Sequence, residues 1–234
     1  MNYATFRAQV AAHASQDQRI DFLRKTYLHL GGAVMLFVVL TSVFIKSSFA
    51  PAMMEWVGAG QMNWLILMGA FMLTGWVSQK WAMTGGNPTK QYMGLALSVT
   101  SYAVIFVPIL YIAANFSDAS VIPKAGVMTA LVFGGLTTTV FLTKKDFSFM
   151  GKVLMIGGWV AMGLIVTSIL FGFNLGTLFA AGMVALCSGY ILYYTSNIMH
   201  HYPIGSHVAA SLALFGSVAM LFYYILMIFM NNRD

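Results

Sequence analysis

The sequence has 234 residues, of which 59% are apolar and only 8% charged, with 12 Lys and Arg against 6 Asp and Glu and a mean hydropathy of +0.80. A water-soluble domain carries about 25% charged residues, so a soluble globule is excluded and the chain reads as an all-α integral membrane protein. The net charge of +6 does not point to a nucleic-acid partner, because the bases sit at segment ends and form no patch interleaved with aromatics.

The first 26 residues hold Arg7, Asp17, Arg19, Asp21, Arg24 and Lys25 without an apolar core, which predicts a polar amino-terminal tail over 1–26 and no removable signal peptide. Apolar runs of roughly 17–25 residues follow at 28–45, 62–81, 92–113, 126–142, 153–171, 177–198 and 208–230. They predict a seven-transmembrane-helix bundle over 27–231 and a short terminus at 232–234. Pro108 is expected to kink the third span. Residues 172–176 are too few for anything but a tight turn between the fifth and sixth. Outside the spans, only the tail and the 46–61 loop exceed a dozen or so residues, which leaves no room for a soluble catalytic domain. No inverted internal repeat of the kind found in secondary transporters is visible.

Nine basic residues fall on one side of this arrangement: Arg7, Arg19, Arg24, Lys25, Lys80, Lys90, Lys144, Lys145 and Lys152. Lys46, Lys124 and Arg233 fall on the other. The positive-inside rule then places the amino terminus in the cytoplasm and, after seven spans, the carboxyl terminus outside. A six-span arrangement with both ends inside is the alternative.

All six acids (Asp17, Asp21, Glu55, Asp118, Asp146 and Asp234) lie in the tail, in loops or at the carboxyl end, whereas ion pathways and intramembrane proteases usually need ionisable groups within spans. No helix-borne Ser–His pair or His-Glu-x-x-His pattern is present. The expectation is a protein that is not an enzyme and holds no cofactor or metal. His200, His201 and His207 cluster in the turn between spans six and seven, without the Cys or carboxylate company of a metal site. They read as hydrated interfacial residues, and His29 reads as an interfacial or packing residue. Cys187, the single cysteine, can form neither an intrachain disulfide nor a cysteine metal site and reads as packing. Ala181, Ala185 and Gly189 in span six, and Ala209, Ala213 and Ser217 in span seven, recur every four residues and predict close approach of these helices to each other or to a central helix. The 18 methionines are scattered and read as adaptable apolar packing. Ser98, Thr100, Ser101, Thr137, Thr138 and Thr139 are the polar groups that could line a path, but span hydroxyls more often bond back to their own helix or across to a neighbour.

Several strings carry a family resemblance. They are Phe22-Leu23-Arg24-Lys25-Thr26-Tyr27, Thr129-Ala130-Leu131-Val132-Phe133, Lys144-Lys145-Asp146-Phe147-Ser148-Phe149-Met150 and, most telling, Gly189-Tyr190-Ile191-Leu192-Tyr193-Tyr194-Thr195-Ser196-Asn197-Ile198. In order and spacing over residues 20–232 the chain resembles the Bax inhibitor-1 family, especially its bacterial YccA-like branch. The resemblance implies a seven-span bundle in the bacterial inner membrane. It also implies either of two activities: binding and restraint of the membrane-anchored ATP-dependent protease FtsH, or a pH-sensitive calcium leak. The family assigns the leak to two acidic side chains, one near the end of span six and one in span seven. Those positions hold Tyr194 and Ser217 here. A phenol, with an ordinary pKa of about 10, is neutral at physiological pH and cannot replace an anionic calcium ligand. The interaction reading, with Lys144, Lys145, Asp146, His200, His201 and His207 as possible contacts on the cytoplasmic face, therefore precedes the leak. The lipid bilayer is the one certain partner of such a chain, and a membrane-anchored AAA protease the expected protein partner.

Overall fold

The computed structural model describes residues 10–231, so the expectations for Arg7, for Arg233 and Asp234, and for the 232–234 terminus lie outside the described residues. What is described is helical: α1 (Gln16–Lys46), α2 (Phe49–Gly58), α3 (Gln61–Ala82), α4 (Pro88–Ile105), α5 (Val107–Phe116), α6 (Val121–Thr143), α7 (Gly151–Phe171), α8 (Gly176–His200) and α9 (His207–Asn231), with 3-10 turns at Ala11–His13 and Ser148–Met150. Apolar helices dominate because a backbone in hydrocarbon must satisfy its own N–H and C=O groups.

Local chemistry sets the helix ends. Ser15 and Gln18 form a reciprocal capping box that starts α1, with Gln18 N donating to Ser15 Oγ at 3.4 Å and Ser15 N donating to Gln18 Oε1 at 3.3 Å. The expected boundary between tail and span at residue 26 therefore falls inside one continuous helix. Even residue 11 is docked: Ala11 is fully buried and its N–H donates to Tyr202 O at 2.9 Å. The 46–61 loop contains a helix, α2, whose Ala50, Met53 and Val57 are buried against α3 and α5. The third span breaks at Phe106, next to Pro108, and its halves α4 and α5 meet at 44°, as the proline predicts. The 172–176 turn is tight: Gly172 is left-handed at φ 70°, and Asn174 Oδ1 accepts from Gly176 N at 3.0 Å.

Five helical stretches are long and apolar enough to cross a membrane: α1, α6, α7 with its leading turn, α8 and α9. The bent pair α4–α5 makes a sixth. The 22-residue α3 has the length, but Gln61, Asn63, Gln79 and Lys80 at its ends leave it less apolar than the others.

The centre of the bundle is α9, against which α1, α3, α4, α6 and α8 all pack. Over half of its apolar window is buried (56%, against 11% for α7), so α7 is the most lipid-facing of these spans. Phe215 on α9 and Phe106 at the break both meet Phe37 of α1 edge-on, at ring-centroid distances of 6.0 and 5.1 Å. Close backbone approach is concentrated where α3 meets α4. A Cβ on Gly94 would lie 2.6 Å from Ser78 O and 2.8 Å from Ala82 N, both backbone atoms that cannot step aside. Gly94→Ala is accordingly expected to cost about 1–3 kcal/mol through overpacking, read as a lowered unfolding midpoint in detergent micelles. Gly182→Ala, whose added Cβ meets nothing within 4 Å, should leave that midpoint unchanged or raised.

Candidate functional site

Two sites stand out, one at the end of the bundle that carries Arg24, Lys25, Lys144 and Lys152, and one in its middle. At the basic end, α6 stops on Lys144, which caps the helix in a left-handed conformation (φ 50°) and donates its N–H to Val140 O at 2.9 Å. The chain then folds back as a clasp onto the end of α8. Asp146 Oδ1 accepts from Ser148 N at 2.8 Å and from Ser196 Oγ at 3.2 Å, and Asp146 Oδ2 pairs with His201 Nε2 at 2.9 Å. Ser196, fully buried, also accepts from Phe147 N at 2.8 Å. The Ser148 N–H and then His201 hold the Asp146 carboxyl well below the usual carboxylate range. The Nδ1–H of His200 donates to Ser196 O of its own helix at 2.9 Å. Lys144 and Lys145 are exposed beside it.

The three histidines are not one cluster, contrary to their closeness in the sequence. The His207 ring lies 4.8 Å from that of His29. His29 donates Nδ1–H to Lys25 O at 2.7 Å and presents Nε2 to Tyr92 Oη at 2.9 Å. His29 thus joins the middle of α1 to the starts of α4 and α9, a role that its place one residue into an apolar run concealed. No group of three or more His, Cys, Asp or Glu suited to a metal ion occurs among the described residues.

The middle site is a cavity of about 320 Å³ bounded by α3, α4, α7, α8 and α9. It brings Tyr194 and Ser217 together, with Gln79, Ser98, Tyr102, Tyr190 and Tyr224 as further polar groups and no Asp, Glu, Lys, Arg or His in its lining. Ser217 spends its hydroxyl on its own helix, donating to Ala213 O at 3.1 Å. Tyr194 sits between the rings of Tyr190 and Tyr193, at 5.9 and 5.2 Å. Tyr190 Oη ties α8 to α7 by donating to Leu154 O at 2.9 Å. Buried Cys187 also lines the cavity.

The small-residue faces divide. Ala209, Ala213 and Ser217 are buried in the bundle, and α8 and α9 pack extensively. On α8, however, Ala181 and Ala185 are exposed, and Gly189 instead admits Leu154 of α7, whose Cδ2 is 2.7 Å from where a Cβ would stand. It is Ala180, Met183, Cys187 and Ile191 of α8 that join the core, because their spacing puts them on the stripe that faces the neighbouring helices. Among the hydroxyls, Ser101 and Thr139 bond back to Leu97 O and Gly135 O at 2.8 Å each, whereas Thr137 is buried with Tyr27 and Thr195 in a trio that approaches without reaching hydrogen-bonding geometry.

Residues 19–234 match the family described as inhibitor of apoptosis-promoting Bax1. The chain belongs to the Bax inhibitor-1 family. Bax inhibitor 1 of Schizosaccharomyces pombe is 29% identical over 95% of this chain and 82% of its own length. Protein lifeguard 4 of Mus musculus is 27% identical over 96% and 89%. An uncharacterized protein of Pseudomonas aeruginosa is more similar, at 38%, but over only 48% of this chain and 51% of its own length. Membership and the run of apolar helices make this an integral, multi-pass, all-helical membrane protein.

For this Bax inhibitor-1 protein the Asp146 clasp yields a pH prediction. A carboxyl lowered in the folded state contributes stability that is present above its unfolded pKa, about 3.9, and is lost as the pH falls through the folded value. Asp146 is half exposed, so Asp146→Asn should cost only about 0.5–1 kcal/mol at pH 7. Unfolding in detergent followed from about pH 8 downward should show the gap to wild type narrowing only below about pH 4.

Proposed function

We propose that this protein is a modulator in the bacterial inner membrane that binds a membrane-anchored ATP-dependent protease and restrains it, in the manner associated with the YccA-like branch of its family. The observation that carries the reading is the neutral cavity at Tyr194 and Ser217. Calcium in a membrane site needs several oxygen ligands and enough negative charge to offset dehydration, and the side-chain oxygens of this lining are hydroxyls and one amide, with no carboxylate. A modulator needs no such charge. It needs lateral surface, and α7 offers it with Val153, Ile156, Trp159 and Val160 exposed along one helix. The proposal takes α3 as a spanning helix, giving seven spans, with the basic end of the bundle and the amino terminus in the cytoplasm.

Affinity capture from detergent-solubilised membranes should recover the protease with the full chain. Because Ala11 is docked on Tyr202, a clean test of the tail removes residues 1–9 alone. Capture is expected to fall several-fold at unchanged membrane level, and equal capture would take those residues out of the mechanism. In liposomes loaded with a calcium dye the unmodified protein should give little flux at pH 6 or pH 8, whereas a robust, pH-dependent flux would put the leak ahead of the modulator. For topology, a cysteine placed at Gln16 should be shielded from an impermeant reagent in intact cells, and one at Asn232 should react. The reverse pattern would overturn the orientation.

A further inference from the structure

The helices α1 and α6 both lie against α9 but hardly touch each other. The gap between them is a cavity of about 510 Å³ floored by Phe215 and Phe222 of α9 and reaching along α1 from Tyr27 to Val38. We propose that this slot is a binding site for an acyl chain of a membrane phospholipid whose headgroup is anionic.

The slot is apolar. Thr129, the hydroxyl residue in its α6 wall, donates to Ala125 O of its own helix at 2.7 Å. Glycine stands in each wall, Gly31 and Gly126, and a Cβ at either would meet nothing within 4 Å. A glycine within a helix costs about 1 kcal/mol relative to alanine, and here two of them face each other's helix across open space. Inside a bilayer such space must be filled by hydrocarbon, since an unfilled gap forfeits dispersion contacts along its whole lining. The shape selects the occupant. From Tyr27 to Val38 α1 rises about 16 Å, so the slot is a long apolar groove whose wall glycines are exposed. An extended acyl chain can lie along such a groove, with its headgroup at the end where the chain leaves it.

One end of the slot is closed by the Tyr27 ring against Phe141, at 5.8 Å. One turn beyond on the same stripe of α1 is Arg24, and one turn beyond Phe141 are Lys144 and Lys145. All three are exposed and enter no ion pair among the described residues. The nearest acids in sequence are engaged elsewhere, Asp21 with Lys25 at 2.7 Å and Asp146 with His201. Three cations at the mouth of an apolar slot complement a negatively charged headgroup at the membrane surface.

The test reconstitutes the full chain in vesicles of equal parts phosphatidylcholine and phosphatidylglycerol, extracts it gently and weighs the intact complexes by native mass spectrometry. The wild type should retain one phospholipid, with phosphatidylglycerol enriched several-fold. Gly31→Leu with Gly126→Leu, which fills the slot from exposed positions, should cut retention about tenfold while the unfolding midpoint in detergent persists. Arg24→Gln with Lys144→Gln and Lys145→Gln should keep the lipid but lose the preference for phosphatidylglycerol. Should the leucine pair not fold, Ala130→Leu, on the same α6 wall, provides the same reading. Retention undiminished by filling the slot, or a wild type that keeps no lipid, overturns the site. Equal retention of both lipids by the wild type overturns the anionic headgroup.

Discussion

An apolar helix gains no hydrophobic energy by leaving lipid for a neighbouring helix, so a membrane bundle is held by close contact and by the few polar groups it can satisfy inside. In this protein that constraint falls on α9. Its small residues Ala209, Ala210, Ala213 and Gly216 bring neighbours near its backbone, and its Phe215 supplies the ring around which Phe37 and Tyr102 assemble. The approach is close at Gly216, where Tyr102 Oη lies 2.9 Å from the place a Cβ would take. The outer helices can then remain largely solvated by lipid, as α7 is.

The same constraint pushes charge to the ends. None of the described Asp, Glu, Lys or Arg residues is buried, and two groups of polar contacts that tie helices together lie near the basic end. There the Asp146 clasp ties the α6–α7 connection to α8, and the contacts of His29 with Tyr92 and His207 tie α1 to α4 and α9. Both are interfacial, where histidine and carboxylate keep access to water and avoid the cost of an ion in hydrocarbon.

Much of the fold was legible because a spanning helix announces itself by length and apolarity, and because Pro108 and the 172–176 turn act through local geometry. The helix α2 was not, since ten residues containing Pro51 and Glu55 read as a loop. Its signal was the spacing of Ala50, Met53 and Val57, which places all three on one face. The early start of α1 was available in Ser15 and Gln18, a capping pair masked by the charged residues that follow. The pairing of Asp146 with His201 spans 55 positions, and nothing local to either residue announces it. The Ala181–Ala185 stripe misled for a related reason: small residues permit close packing, but they do not say which face of a helix the neighbour will take.

Tyr194 and Ser217 show how a bundle accommodates a site without charge. An acid at a helix centre costs about 2.5–3.5 kcal/mol on insertion scales, and two facing acids must share a proton to coexist. Serine removes that cost by bonding to Ala213 O, a group its own helix supplies. Tyrosine removes it by ring contacts with Tyr190 and Tyr193 along α8. Neither solution needs a partner from the opposite helix, so the contact between α8 and α9 does not depend on protonation at these two positions. The cavity they line lies between helices that other contacts hold together.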